Sequence, residues 1–180
     1  MSTEIFKNNR MEKKGENLKY IITRYDNYVN FSNVKGSFIV TLNTFIVGAV
    51  LVNRTFISEK INVDYHTFFE ILLLVLCFAA LIILFFTIRA LFPYSISGDS
   101  SKDEYHSHIY FGSVSKFESA KEYISSLSKI DDNKFEEDLA TQAYILARGV
   151  TKKYKMLDIS MYIIYFELVI FIAIFVLILI

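Results

Sequence analysis

The chain has 180 residues, 53% of them apolar, with 19 basic and 19 acidic side chains in balance. Mean hydropathy is +0.37, above the range of ordinary soluble domains. The neutral balance gives no electrostatic footprint for nucleic acid, and none is expected as a partner. The single Cys77 lies in an apolar run, which excludes an intrachain disulfide and any metal site made by cysteine alone.

The first twenty residues have no apolar core and no small-residue cleavage site, so they do not read as a secretory signal peptide. Residues 1–15 are expected to form a polar N-terminal tail with little order. Residues 16–35 predict an amphipathic helix. Leu18, Ile21, Ile22, Tyr25, Val29 and Ser32 recur at spacings of three and four, with Lys19, Arg24 and Asp26 on the other side. No breaker separates this helix from residues 36–52, seventeen uncharged residues that form the first expected span. Ser37, Thr41, Thr44 and Gly48 make a small, polar stripe there, expected to receive another helix. Asn43 adds a polar group near the middle of that span.

Residues 53–66 are expected to be a short external loop. Residues 67–92 form the second span, built on 71–88, eighteen consecutive residues without a charge. A helix of that length covers roughly 27 Å, close to the hydrocarbon thickness of a bilayer. Glu70 and Arg89 bracket the run and can reach headgroups. Pro93, Gly98, Asp99 and the serines of 95–101 mark its exit.

Residues 93–157 read as a helical region outside the membrane. Residues 108–115 suit a turn entering a helix capped by Ser113 or Ser115. Phe117, Tyr123, Ile124, Leu127 and Ile130 suit the apolar face of that short helix. Asp131, Asp132 and Asn133 signal a turn. From about Phe135 a longer helix carries Leu139, Ala143, Leu146, Val150 and Leu157 inward. Residues 158–180 are the third span, joined to that helix without a visible break.

Lys and Arg set the orientation. The first 35 residues carry seven, the 53–66 loop two, and the 90–158 stretch nine. With three spans the rich regions share a side, which the positive-inside rule makes cytoplasmic, N-terminus included. Glu167 lies about 12 Å into the last span, where a carboxylate needs a partner or water. Arg89 is the expected partner, and the two form a candidate membrane polar pair.

No phosphate loop, HExxH, paired-cysteine motif or nucleophile elbow is present. His106 and His108 stand near Asp103 and Glu104. On a strand they would share a face and could bind a metal, and an enzyme using these histidines and the acidic cluster at Asp131, Asp132, Glu136, Glu137 and Asp138 is one rival reading. Solvated surface groups are the simpler account. Lys152, Lys153 and Lys155 abut the third span as headgroup anchors or an anion site.

Three stretches together carry a resemblance. DNYVNFSNVKGSFIVTLN at 26–43 places a Lys before a small-residue, apolar run ending in Asn. IYFGSVSKFESAKEYISSL at 109–127 has aromatics, a Gly and an EY-containing helix. DLATQAYILARGVTKKYKMLDIS at 138–160 leads from a soluble helix into the final span, with Gln142, Leu146 and the Lys153–Tyr154 pair in place. In this order the chain resembles the transmembrane effectors of Pycsar, the bacterial pyrimidine cyclic nucleotide anti-phage system. Asn33 departs from the pattern, which carries an acidic residue two before the Lys.

The resemblance implies a non-enzymatic effector with no cofactor. Its ligand would be cyclic CMP or cyclic UMP, made by a partner cyclase on phage infection. Binding on the cytoplasmic side would impair the inner membrane in abortive infection. The alternative is a membrane scaffold, or a membrane-perturbing protein gated by another small ligand.

A cyclic nucleotide offers a phosphate, a ribose and a flat base, so a site needs a cation and an aromatic face. Tyr110, Phe111 and Gly112 are candidates for stacking and close backbone approach. Lys35, Arg148 and Lys153 are candidates for charge, and the matched Gln142 joins them as a ligand-binding candidate. The expected fold is an all-α membrane protein with three transmembrane helices and a small cytoplasmic helical domain. A homo-oligomer is expected, because several subunits share the work of switching.

Overall fold

The structure, a computed structural model, describes residues 2–92 and 106–179, with side chains from residue 13 onward. Every regular element among them is helical: α1 (Ser2–Val52), α2 (Arg54–Lys60), a 3-10 turn (Val63–Tyr65), α3 (His66–Leu91), α4 (Phe111–Val114), α5 (Ala120–Leu127) and α6 (Asp132–Leu179). Three helices are long and apolar enough to cross a membrane, α1, α3 and α6. The exit expected at Pro93 to Ser101, and the Asp103 and Glu104 neighbours of the histidines, lie outside the described residues.

Contacts divide the chain into two compact units. One is drawn from Met1–Asn30 and Pro93–Thr151, the other from Phe31–Phe92 and Lys152–Ile180.

In the second unit the inward positions of the three long helices alternate by three and four residues. They are Ser32, Gly36, Ile39, Asn43, Ile46 and Val50 on α1, and Phe69, Leu73, Leu76, Ala80, Ile83 and Thr87 on α3. On α6 they are Leu157, Ser160, Ile164, Glu167, Ile170 and Ile174. This 3.5-residue repeat is the signature of helices packed along a shared seam. The clusters fix the directions. One joins Ile39, Ile83 and Ile164, and the other joins Val50, Leu76 and Ile170. Thus α1 and α6 run parallel and α3 runs against both.

The outward face of α3 is apolar as well, with Leu74, Phe78, Leu81 and Phe85 all exposed. Water would penalise such a surface, whereas lipid does not.

Gly36 explains how closely α1 can approach. A Cβ there would sit 2.7 Å from Leu91 Cδ2 and 3.5 Å from Leu157 Cδ2. The stripe of Ser37, Thr41 and Thr44 does not receive a helix, because it points outward. Ser37 Oγ donates to Asn33 O and Thr41 Oγ1 to Ser37 O, each 3.0 Å, so the hydroxyls are satisfied within their own helix. The contact face lies instead on the Gly36, Ile39 and Asn43 side.

The segment read as a loop at 53–66 contains α2 and the 3-10 turn. Arg54 binds Glu70 through two nitrogens at 2.9–3.1 Å, tying α2 to the start of α3. Glu70 is thus engaged with Arg54.

In the first unit, helix α1 already begins at Ser2, so the polar segment read as a poorly ordered tail is helical. Lys14 on α1 pairs with Glu136 on α6 at 2.8 Å. Leu18, Ile21, Ile22, Tyr25 and Val29 are partly buried while Lys19, Arg24 and Asp26 are exposed, as the periodicity predicts. Helix α5 departs from its predicted pattern in two ways. Its N-cap is Ser119, whose Oγ accepts from Glu122 N at 3.2 Å, while Glu122 Oε2 accepts from Glu118 N. Ile124 and Leu127 are exposed; Tyr123 and Ser126 face inward, because both bond to His108.

Candidate functional site

The first unit holds a short irregular segment, 106–110, fixed by one carboxylate. Asp138 is buried on α6 and accepts from Ser107 Oγ and from His108 N, each at 2.7 Å. Ser107 Oγ in turn accepts from the backbone N–H groups of Ile109 and Tyr110 at 3.1 and 3.0 Å. Tyr123 Oη donates to His108 O at 2.8 Å, and the His108 ring meets Ser126 Oγ at 2.8 Å. Irregular backbone has no ladder to satisfy it, so this network replaces one. Asp138 reads in the sequence as one of five acidic residues at a solvated helix start. Its periodicity carried the missed signal, since it stands beside Leu139 and four before Gln142, both inward positions.

Beside this segment lies an open groove of about 540 Å³. His106, His108, Ser126, Lys129, Lys134 and Glu137 line it. Phe117 packs between the His108 and Tyr123 rings, with centroids 6.2 and 5.3 Å away. With Asp138 at its wall, the groove combines two ammonium groups, two imidazoles, a hydroxyl and two carboxylates, of which Asp138 is engaged by Ser107 and His108. That inventory suits an anion attached to a polar ring system. No three His, Cys, Asp or Glu side chains gather as a metal would require, among the described residues.

The expected ligand residues fall into both units. Tyr110, Phe111, Gly112, Gln142 and Arg148 belong to the first, Lys35 and Lys153 to the second. The Tyr110 and Phe111 rings lie 4.7 Å apart, tilted by 50°, and Phe111 is 75% exposed. A Cβ on Gly112 would meet the Tyr110 ring at 2.5 Å, so glycine lets that ring fold back. Arg148 lies over the Tyr144 ring on the exposed face of α6. Gln142 is buried on α6, with its Nε2 unpartnered.

In the second unit, Lys35 lies 5.3 Å over the Tyr154 ring. Lys153 is 5% exposed and already occupied. Its Nζ donates to the last carbonyls of α3, Ala90 O and Leu91 O, and to Asn33 Oδ1 at 3.3 Å. An ammonium at a helix C-terminus satisfies orphan carbonyls and opposes the helix dipole. Burial pushes this ammonium below the ordinary lysine value of 10.5. Asn33, the departure from the family pattern, is thus the side-chain acceptor for Lys153.

Arg89 and Glu167 are not paired. Arg89 is exposed, while Glu167 is fully buried with both oxygens unpartnered. The register explains this. Thr87 Oγ1 donates to Ser160 Oγ at 3.0 Å, which sets Arg89 near Asp158 and leaves Glu167 about 13 Å deeper.

No curated protein and no solved structure matches the chain. A family described as the Pycsar effector protein domain does match, over residues 17–180, which takes in α3, α6, the groove and α1 from residue 17 onward. The chain therefore belongs to the Pycsar effector family, membrane effectors of cyclic-pyrimidine anti-phage defence.

Proposed function

We propose that the protein senses a cyclic pyrimidine mononucleotide, cyclic CMP or cyclic UMP, and responds by impairing the bacterial inner membrane, halting the infected cell. The nucleotide comes from a partner cyclase and reaches the cytoplasmic side, where the Lys- and Arg-rich regions lie. One observation carries this reading: α1 and α6 each run unbroken from the first unit into the second. A change in helix packing in the first unit then reaches two spans through continuous backbone, with no linker to absorb it. Helix α3 differs, since it ends at Leu91.

The groove beside the 106–110 segment is the proposed ligand site. Lys129 and Lys134 supply charge for the phosphate, His108 a ring for the base, and Glu137 an acceptor for the ribose hydroxyl. Tyr110 and Phe111 remain candidates for stacking, Gly112 for close backbone approach, and Gln142 and Arg148 for polar contact. The protein acts without catalysis, and several copies assemble in the membrane. To move a two-state switch from about 1:99 to 99:1, the ligand must favour the active state by about 5.5 kcal/mol, a demand that assembly divides.

Calorimetric titration of the detergent-solubilised protein with cyclic CMP, cyclic UMP and cyclic AMP tests the reading. Binding of a pyrimidine nucleotide, lost on Lys129→Glu/Lys134→Glu substitution, is expected, together with nucleotide-triggered dye release from vesicles carrying the protein. No binding of any cyclic nucleotide would overturn it.

A further inference from the structure

The interior of the three-span bundle carries a polar layer that the sensing reading does not use. Thr87 and Ser160 set the register between α3 and α6. Seven residues further along each, in opposite chain directions, stand Ala80 and Glu167, about 10.5 Å deeper. Helix α1 reaches the same level through Asn43, whose Nδ2 donates to Ala80 O at 3.2 Å. Asn43 and Glu167 are 1% and 0% exposed. Three oxygens at this level, Asn43 Oδ1 and both carboxylate oxygens of Glu167, have no hydrogen-bond donor. Apart from the Asn43 amide nitrogen, engaged by Ala80 O, the layer is made of acceptors. Beyond it the bundle is closed by an apolar cluster that includes Val50, Phe69, Leu76 and Ile170.

Buried acceptors are normally paired, and a lone carboxylate in an apolar core needs a positive partner. No side chain of the surrounding spans supplies one. Helix α1 has no titratable or charged group between Lys35 and Arg54. Between Glu70 and Arg89, helix α3 offers only Cys77, and after Asp158 helix α6 offers only Tyr162 and Tyr165, both exposed.

We propose that Asn43 and Glu167 form a site for a monovalent cation, a proton or a sodium ion, inside the membrane bundle. A proton on Glu167 turns one acceptor into a donor and can bridge to Asn43 Oδ1. A sodium ion takes the same oxygens as ligands, since hard cations choose carboxylate and amide oxygen. In either form the occupied site is neutral and favours closed spans. The emptied site leaves a single negative charge among apolar side chains and favours separation.

The site rests on the three-span packing alone and not on the nucleotide. The full-length protein is reconstituted in lipid nanodiscs, and its thermal unfolding is followed in two titrations. One varies sodium against choline at fixed pH, and the other varies pH without sodium. The parallel variant is Glu167→Gln, which keeps the shape, removes the charge and supplies its own donor to Asn43 Oδ1. Wild-type stability should depend on one of the two ions, and Glu167→Gln should lose that dependence. A sodium response identifies the metal ion, and a pH response alone identifies the proton. Asn43→Leu should weaken apparent ion affinity by roughly tenfold or more, the worth of one hydrogen bond to a charged group.

Should Glu167→Gln fail to fold, infrared difference spectra of wild type against Glu167→Asp, both with labelled glutamate, isolate the Glu167 band. A carboxylic-acid band marks the proton, and a carboxylate band shifted by sodium marks the metal ion. Equal ion dependence of wild type and Glu167→Gln, or dependence of the wild type on neither ion, would overturn the proposal. Loss of nucleotide binding with the ion dependence intact would count against the sensing reading and leave the ion site standing.

Discussion

Lys153→Met separates two accounts of the lysines at 152–155. If all of them only anchor headgroups, each should be replaceable at little cost. The structure assigns Lys153 a different task. Its ammonium is the donor for Ala90 O, Leu91 O and Asn33 Oδ1. Methionine keeps the stem volume and removes the donor. Each buried acceptor stranded in this way costs about 1–3 kcal/mol, and the lost charge at the α3 C-terminus adds a few tenths to about 2. Leu91 O stands 3.5 Å away and contributes little, so two acceptors count. Removing a partly desolvated ammonium returns some of the loss. The net destabilisation is about 2–4 kcal/mol.

Reversible unfolding in mixed detergent measures it, with Lys155→Met as the exposed control, expected within about 0.5 kcal/mol of wild type. The pH dependence adds a second check. A lysine whose folded value is depressed binds its proton more tightly in the unfolded chain, so wild-type stability gains as pH rises through the folded value towards 10.5. Lys153→Met should lack that gain. Equal stability of Lys153→Met and Lys155→Met would refute the assignment.

Three further outcomes follow from the geometry. Gly36→Val should destabilise the second unit by about 1–3 kcal/mol through overpacking against Leu91 and Leu157, whereas Ser37→Val on the outward face should be nearly neutral; thermal unfolding of the pair checks this. Asp138→Ala should release the 106–110 segment, raising hydrogen exchange at His108, Ile109 and Tyr110 and weakening nucleotide binding more than Glu137→Ala does. An alanine inserted between Leu157 and Asp158 rotates everything beyond it by about 100° about the α6 axis, taking Ser160 and Glu167 off the inward face, and should abolish nucleotide-triggered dye release.

The three spans are legible in the sequence because length and lack of charge are enough to mark them. The inward face of each span is not. Inside a membrane, apolar residues cover both the packed and the lipid-facing sides, so hydropathy cannot tell Ile39 from Phe38. The small-residue stripe at Ser37, Thr41 and Thr44 points to the wrong side of α1. The Ser37 and Thr41 hydroxyls are satisfied by the helix's own carbonyls, a local solution that looks in sequence like an interface. The better signal was the 3.5-residue repeat through Gly36, Ile39, Asn43, Ile46 and Val50. Asn43 was visible as a mid-span polar residue, and Glu167 as a costly carboxylate. Their common level depends on the offset between antiparallel helices, which a single chain does not display.

Outside the spans, Tyr110, Phe111 and Gly112 lie in or next to the 106–110 segment in the chain, but they do not line the groove beside it. The buried role of Asp138 is hidden because a carboxylate at the start of a helix is usually solvated.

Lys153 and Ser160 are separated by seven residues, and each meets a different partner on α3. The spacing works as a set of keyed notches. A slide of α6 by one heptad would keep the apolar side chains interdigitated, yet it would set Lys153 opposite Thr87 and strand the carbonyls at Ala90 and Leu91. An axial slide of α6 therefore has to break both notches together. Rotation of α6 about its axis would break the same two contacts, so this bundle favours motions that keep both notches engaged.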